Sequence, residues 1–152
     1  MRVAILGVGR MGTAIAWAMN ELGFDIVGMD TNPEAANNIP AERENLFFTV
    51  GGVEDIFKGL VAQKRPDVVI SSLPYHQTQE VGLWCIDNEV RYCDLGGRVD
   101  VSQIINEYAK EKATRPVFTD LGLAPGWVNI LAEEGYRKLY GQSQITTIEM
   151  MV

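Results

Sequence analysis

A single histidine, two cysteines and no cluster of lysine or arginine limit what this chain of 152 residues can do. Cys85 and Cys93 have neither CxxC spacing nor a histidine nearby. They are predicted to be reduced, partly buried thiols, which argues against a structural metal, a disulfide or cysteine redox chemistry. Thirteen Lys and Arg against twenty Asp and Glu leave a formal charge of -7. Without a basic run to neutralise a row of phosphates, nucleic acid is not an expected partner. No apolar stretch approaches the ~20 residues of a membrane-crossing helix, so no membrane partner is expected either. A strand-like run already starts at Val3, leaving no room for a signal peptide, and the expected location is cytoplasmic. Low-complexity tracts are missing too, and with 47% apolar residues the chain is predicted to build one packed domain.

Within that domain, runs rich in Val, Ile and Phe alternate with stretches of helical period, the pattern of successive βαβ units on a parallel sheet. Strands are predicted at Val3 to Leu6, Asp25 to Met29, Leu46 to Val50, Val68 to Ser71, Arg91 to Cys93 and Val117 to Thr119. Met11, Ala14, Ile15, Ala18, Met19 and Leu22 recur as one apolar stripe expected to face the sheet, with Trp17 off it. Val101, Ile104, Ile105, Tyr108 and Ala109 repeat the pattern, as do Val128, Leu131, Ala132, Gly135 and Leu139. Pro33 and Pro125 stand where first-turn prolines belong. Right-handed crossovers leave few topologies for six such strands, and the commonest is the α/β doubly wound, or Rossmann, sheet of order 3-2-1-4-5-6. Ligands of that fold lie at the carboxyl ends of the strands, where the winding reverses between the first and the fourth. The residues that follow each strand are therefore the candidates for function.

After the first strand comes Gly7-Val8-Gly9-Arg10-Met11-Gly12, a G-x-G-x-x-G that opens an amphipathic helix, the context of a dinucleotide site. Gly7 permits the sharp turn, Gly9 lets the backbone approach a pyrophosphate, and Gly12 lets the helix pack closely. Unpaired N–H groups at the positive end of that helix would hold the phosphates. Asp30 ends the second strand at the offset of a carboxylate that accepts hydrogen bonds from the adenosine ribose hydroxyls. A 2′-phosphate there would meet a like charge, so NAD is expected over NADP; Arg10 and Arg43 are the cations that a 2′-phosphate would use instead. Asp30 has a second reading, as the cap of a turn formed with Thr31, Asn32 and Pro33.

Three more loops are expected to converge on the nicotinamide half of the crevice: Ser71-Ser72-Leu73-Pro74-Tyr75-His76, Asp94-Leu95-Gly96-Gly97, and Asp120 through Trp127. Small residues such as Gly96 would let the nicotinamide and its ribose reach the backbone. His76 is placed in the first turn of a helix, either as a proton shuttle or as a solvated surface residue. Asp94 and Asp120 read as general bases or as turn-formers and helix caps. Trp127 reads as a wall of the pocket or as ordinary core. None of these side chains forms a recognisable nucleophile–base pair, which argues against a hydrolase.

Together, "GVGRMGTAIA", "DVVISSLPYHQTQEVGLWCIDNEVRYCDLGG" and "TDLGLAPGWVNILAEEG" resemble the cofactor-binding part of the saccharopine dehydrogenase-like oxidoreductases, a family that includes saccharopine reductases, carboxynorspermidine dehydrogenase and lysine 6-dehydrogenase. The Ala-Pro-Gly followed by Asn129-Ile130-Leu131 is most similar to lysine 6-dehydrogenase, whose use of NAD agrees with Asp30. The resemblance implies hydride transfer between a nicotinamide and the carbon of a C–N bond in an amino acid or amine. It also implies that Gly7, Val8, Gly9, Arg10, Met11, Gly12 and Asp30 contact the cofactor, with Ser72, Leu73 and Pro74 beside them.

Members of that family carry a second, substrate-binding domain after the segment that matches "APGWVN". The resemblance therefore divides the chain into a dinucleotide-binding domain over 1–143 and a strand over 144–152 that would begin the second domain. Such a strand leaves unpaired backbone groups, and pairing with another copy, giving a homo-oligomer, is the expected solution. Catalysis by this chain alone is then expected to be incomplete, because nothing obvious orients the amine or excludes water. The alternative is a catalytically silent module that binds NAD or dimerises. A methyltransferase is a third class, disfavoured by the intact glycine motif opening a long helix.

Overall fold

The computed structural model describes residues 1–39, 45–62, 65–141 and 144–150. Strands β1 (Arg2–Leu6), β2 (Asp25–Asp30), β3 (Leu46–Val50), β4 (Val68–Ser71), β5 (Arg91–Asp94) and β6 (Val117–Phe118) alternate with helices α1 (Arg10–Glu21), α2 (Val53–Ala62), α3 (Tyr75–Asp87), α4 (Val99–Lys112) and α5 (Trp127–Leu139). A 3₁₀ segment, Pro33–Asn38, lies between β2 and β3. The strands form one sheet in the order β3-β2-β1-β4-β5-β6, every pairing parallel. This is the doubly wound order expected from the sequence, with the reversal between β1 and β4.

Side chains alternate across β1. Val3 and Ile5 join Ile26, Ile70 and Ala16 of α1 on one face, while Ala4 and Leu6 join Val69, Tyr92, Val81, Cys85 and Ile105 under α3 and α4 on the other. Because both faces of the central strands are covered, they read as near-continuous apolar runs rather than as an alternation of apolar and polar residues. The registers Leu6↔Ser71 and Ser71↔Asp94 bring the carboxyl ends of β1, β4 and β5 level with one another. A row of loops therefore leaves the sheet along one edge.

Two helices differ from their predicted faces. In α1 the buried residues are Gly12 and Ala16, flanked by half-buried Ile15 and Met19, whereas Met11 is 53% and Leu22 69% exposed. The buried stripe is turned from the predicted one because close approach to the sheet selects the smallest side chains, not the most apolar ones. In α5 the predicted stripe is present but buries nothing: Val128, Ala132 and Gly135 are half-buried, and Leu131 and Leu139 are exposed. Pro33 opens the 3₁₀ segment as expected, and Asn32 accepts a hydrogen bond from the Glu34 N–H. Pro125 stands two positions ahead of α5, and Gly126 takes the cap. Residues 144–150 join no ladder of the sheet; Ile148 and Met150 lie along α5, sharing a cleft with Asn129, Ala132 and Tyr136.

Candidate functional site

The loop from Gly7 to Gly12 stands at the point where the winding reverses. Gly7 has φ +82°, a conformation that L side chains rarely adopt, and its Cα faces the Ser72 carbonyl and the Leu73 side chain. A Cβ on Gly12 would overlap the Gly7 carbonyl, so the first turn of α1 folds directly onto the loop that precedes it. Gly9 is the opposite case: a Cβ there would meet no protein atom within 4 Å. Its cradle is open outward, as a group approaching the backbone requires. Gly9 is also the N-cap of α1, and no side chain caps that end. The first N–H groups of the helix are therefore free to take an anionic ligand such as a pyrophosphate. Arg10 and Met11 follow on the exposed side, and Arg43 lies outside the described residues.

Asp30, at the end of β2, is joined to this loop. Its Oδ2 accepts a hydrogen bond from the Val8 N–H at 2.8 Å, and its Oδ1 accepts one from the Asn32 N–H at 2.9 Å. The Asn32 bond is the turn cap of the second reading. The Val8 bond fixes the carboxylate beside the glycine loop, where a ribose would lie if the phosphates sat on α1. Both oxygens keep acceptor capacity, since each has two lone pairs.

A second constellation closes the ends of β5 and β6. Asp94 is buried, and its Oδ1 accepts hydrogen bonds from the N–H groups of Gly96 (2.8 Å) and Asp120 (3.0 Å). The Asp94 carbonyl accepts a third, from the Leu121 N–H at 2.9 Å. The phenol of Tyr92 lies 3.0 Å from Asp94 Oδ2 and 3.2 Å from the Thr78 carbonyl. Burial pushes the Asp94 carboxyl above the usual carboxylate range, against the pull of its N–H donors. Burial, with Asp94 beside it, also raises the Tyr92 phenol. Asp94 thus ties the β5–α4 loop to the β6–α5 loop.

The space over Gly96 is filled by protein: a Cβ there would collide with Asp120 and Pro125. Asp120 has φ +62° and accepts a hydrogen bond from Ser102 Oγ at 2.8 Å. Ser72 and Leu73 pack on Gly7, and Pro74 is the N-cap of α3. His76 is exposed in the first turn of α3, its ring edge-on to Tyr75 at 5.7 Å. Trp127 is 54% exposed rather than core. Cys85 is buried and Cys93 half-buried, both free thiols, and burial pushes Cys93 up to about 11.

Three residues that sequence reasoning did not single out belong to this edge. Tyr75 faces Gly97 and lies under the Arg98 guanidinium, 5.4 Å from ring centroid to Cζ. Arg98 in turn is paired with Asp100. Ser102 is a buried hydroxyl in the second turn of α4, and a polar residue on an otherwise apolar inner face was the signal that would have found it. No group of three or more His, Cys, Asp or Glu suited to a metal occurs among the described residues. No helix among them is long and apolar enough to cross a membrane.

Comparison with known proteins bears on the whole arrangement. The yeast saccharopine dehydrogenase (L-Glu forming) from Saccharomyces cerevisiae superposes on 91% of this chain and 31% of its own, with a TM-score of 0.73 and 18% identity. The myo-inositol 2-dehydrogenase of Lactobacillus plantarum gives 93%, 41%, 0.70 and 13% in the same order. The WlbA dehydrogenase of Chromobacterium violaceum, solved with NADH and UDP-GlcNAcA, gives 91%, 40%, 0.67 and 16%. At these identities the likeness establishes the fold. Among curated proteins, a formate-dependent phosphoribosylglycinamide formyltransferase from Shewanella amazonensis is 28% identical over 78 residues, which is 51% of this chain and 19% of that protein. The chain thus spans less than half the length of each of these relatives. A family model described as the saccharopine dehydrogenase NADP binding domain matches residues 3–120. That match covers most of the sheet, the glycine loop, Asp30 and the Asp94 clamp, and the chain belongs to the saccharopine dehydrogenase NADP binding domain family.

Proposed function

We propose that this chain binds NAD across the β1–β4 crevice and serves as the nucleotide-binding part of an oxidoreductase that acts on the C–N bond of an amino acid or amine. One observation carries the reading: an uncapped α1 N-terminus with open space over Gly9, and the Asp30 carboxylate fixed beside it by the Val8 N–H. The N–H groups of α1 hold the pyrophosphate, Asp30 accepts from the adenosine ribose hydroxyls, and Ser72, Leu73 and Pro74 border the nicotinamide side. The bound dinucleotide supplies hydride transfer; the chain supplies orientation. Asp30 favours NAD, because a 2′-phosphate would stand against a carboxylate whose position is already set. At 4 Å such a like-charge contact is worth about 4 kcal/mol in surroundings of intermediate dielectric.

The test is thermal stabilisation measured in parallel with NAD, NADP and S-adenosylmethionine. A ligand at 100 times its Kd adds about 2.7 kcal/mol to the folded state, a rise of roughly 5–10 °C for a domain of this size. NAD is expected to give that rise, NADP a smaller one and S-adenosylmethionine none. Equal stabilisation by NAD and NADP overturns the role given to Asp30, and stabilisation by neither overturns the reading.

A second reading, a silent NAD-binding module, is favoured by the Asp94 clamp, which commits a buried carboxylate at this edge to two backbone N–H groups and the Tyr92 phenol. NADH formation from NAD over a panel of amines favours the enzyme; tight NAD binding without turnover favours the module. Self-association belongs to the same proposal. Its support is the apolar surface on α5 and residues 144–150, where Ile130, Leu139, Ile148 and Met150 are each half exposed or more, and light scattering that gives a monomer at high concentration refutes it.

A further inference from the structure

Beside the clamped loops, between the first turns of α4 and the β6–α5 loop, lies a cleft of about 290 Å³ lined by Ser102, Gln103, Asn106, Asp120 and Pro125. Its size sits at the small end of ligand sites, room for a small molecule or one end of a larger one. Its lining is rich in acceptors. Ser102 Oγ donates to Asp120 Oδ1 at 2.8 Å, and no hydrogen bond among the described residues reaches Asp120 Oδ2. Asn106 spends its amide N–H on Thr119 Oγ1 at 3.0 Å, which leaves its carbonyl oxygen as an acceptor. Gln103 is exposed at the rim.

The charges in and around the cleft do not cancel. Arg98 is the one cation among the lining residues, and it is held by Asp100 through two of its nitrogens. Asp100 also stands in the first turn of α4, where its negative charge faces the positive end of that helix. Asp120 has no such partner of opposite charge, and Asp94 lies beneath it. An anion entering here would meet unbalanced carboxylate charge; a cation that donates hydrogen bonds would meet its complement.

From this geometry we infer that the cleft is a subsite for a protonated amine, with Asp120 Oδ2 as its counter-charge and the Asn106 and Gln103 carbonyl oxygens as further acceptors. A primary ammonium carries three donors on one atom, which matches three acceptors around one small space. Its meaning for catalysis rests on the amine-dehydrogenase reading above, since it would hold the cationic end of the substrate at the carboxyl edge of the sheet. The binding itself does not depend on that reading.

The experiment is a titration of the isotopically labelled chain with cadaverine, and with its diol analogue at the same ionic strength, following backbone amide shifts with and without NAD. Saturable shifts with cadaverine at Gln103, Asn106 and Asp120, none with the diol, and at least tenfold weaker binding in Asp120→Asn are expected. Asparagine removes the charge while tolerating φ +62°, so the loop keeps its shape. Should that variant not fold, Gln103→Leu on the exposed rim gives the same test with an expected loss of at least threefold. Shifts of equal size with the diol, shifts centred elsewhere, or unchanged affinity in the variant that folds overturn the inference. Failure of NAD to bind overturns the proposed function but leaves the cadaverine result standing, so the two are separable.

Discussion

Replacing Asp94 tests whether one buried carboxylate holds the nicotinamide-side loops in place. In Asp94→Ala the N–H groups of Gly96 and Asp120 both lose their acceptor, whereas the Tyr92 phenol can still donate to the Thr78 carbonyl 3.2 Å away. An orphaned buried donor costs about 1–3 kcal/mol. Since both loops are part-buried rather than sealed, the lower half of that range applies, a total of about 2–4 kcal/mol and a melting point lower by roughly 5–15 °C. Asp94→Asn behaves differently. Its carbonyl oxygen keeps both backbone bonds, its amide can donate to the Tyr92 oxygen, and the cost stays within about 1 kcal/mol of wild type.

The pH dependence separates the two variants further. Burial raises the Asp94 carboxyl in the folded state above its unfolded value, so the folded chain holds that proton more tightly. The stability this contributes is complete below the ordinary carboxylate range, about pH 4, and is lost as pH rises through the folded value. Asparagine has no such proton. The stability of wild type relative to Asp94→Asn should therefore fall from acid toward neutral pH. Urea denaturation followed by circular dichroism at several pH values measures all three proteins. An alanine variant within ~0.5 kcal/mol of wild type, or an asparagine variant as damaged as alanine, refutes the clamp.

Three further outcomes concern the nucleotide side. Gly9→Ala adds a Cβ that meets no protein atom, so its unfolding free energy should stay within ~0.5 kcal/mol of wild type while NAD affinity by calorimetry falls at least ~10-fold. Gly12→Ala drives a Cβ into the Gly7 carbonyl and should lose more than ~2 kcal/mol of stability as well. Asp30→Ala removes a charged acceptor and should weaken NAD by about 1.5–3 kcal/mol, roughly 10- to 150-fold, with no comparable loss for NADP. An unchanged NAD-to-NADP ratio in direct titrations counts against the assignment.

The strand order and the glycine loop were legible because they depend on local patterns: apolar runs of strand length, turn glycines, and an acidic residue at the end of β2. Helix faces were less so. The α1 stripe was read from apolarity, yet contact with the sheet selected Gly12 and Ala16 and left Met11 and Leu22 exposed. That choice depends on the distance between helix and sheet, which a linear pattern does not encode. Asp94 was visible as a loop carboxylate, but of its partners only Tyr92 and Gly96 lie beside it in sequence; Asp120 follows β6, and the β5–β6 register brings it across. The face of α5 is apolar by sequence and exposed in the fold; a stripe predicts what wants covering, not what covers it.

The hydrogen bond between Asp30 and the Val8 N–H has a kinetic corollary. A segment that is already locked in its receptive shape gives up little disorder when a guest arrives, so less of the interaction is offset by ordering. Capture should then run at the pace of diffusive encounter, with discrimination between dinucleotides residing in how long each one stays.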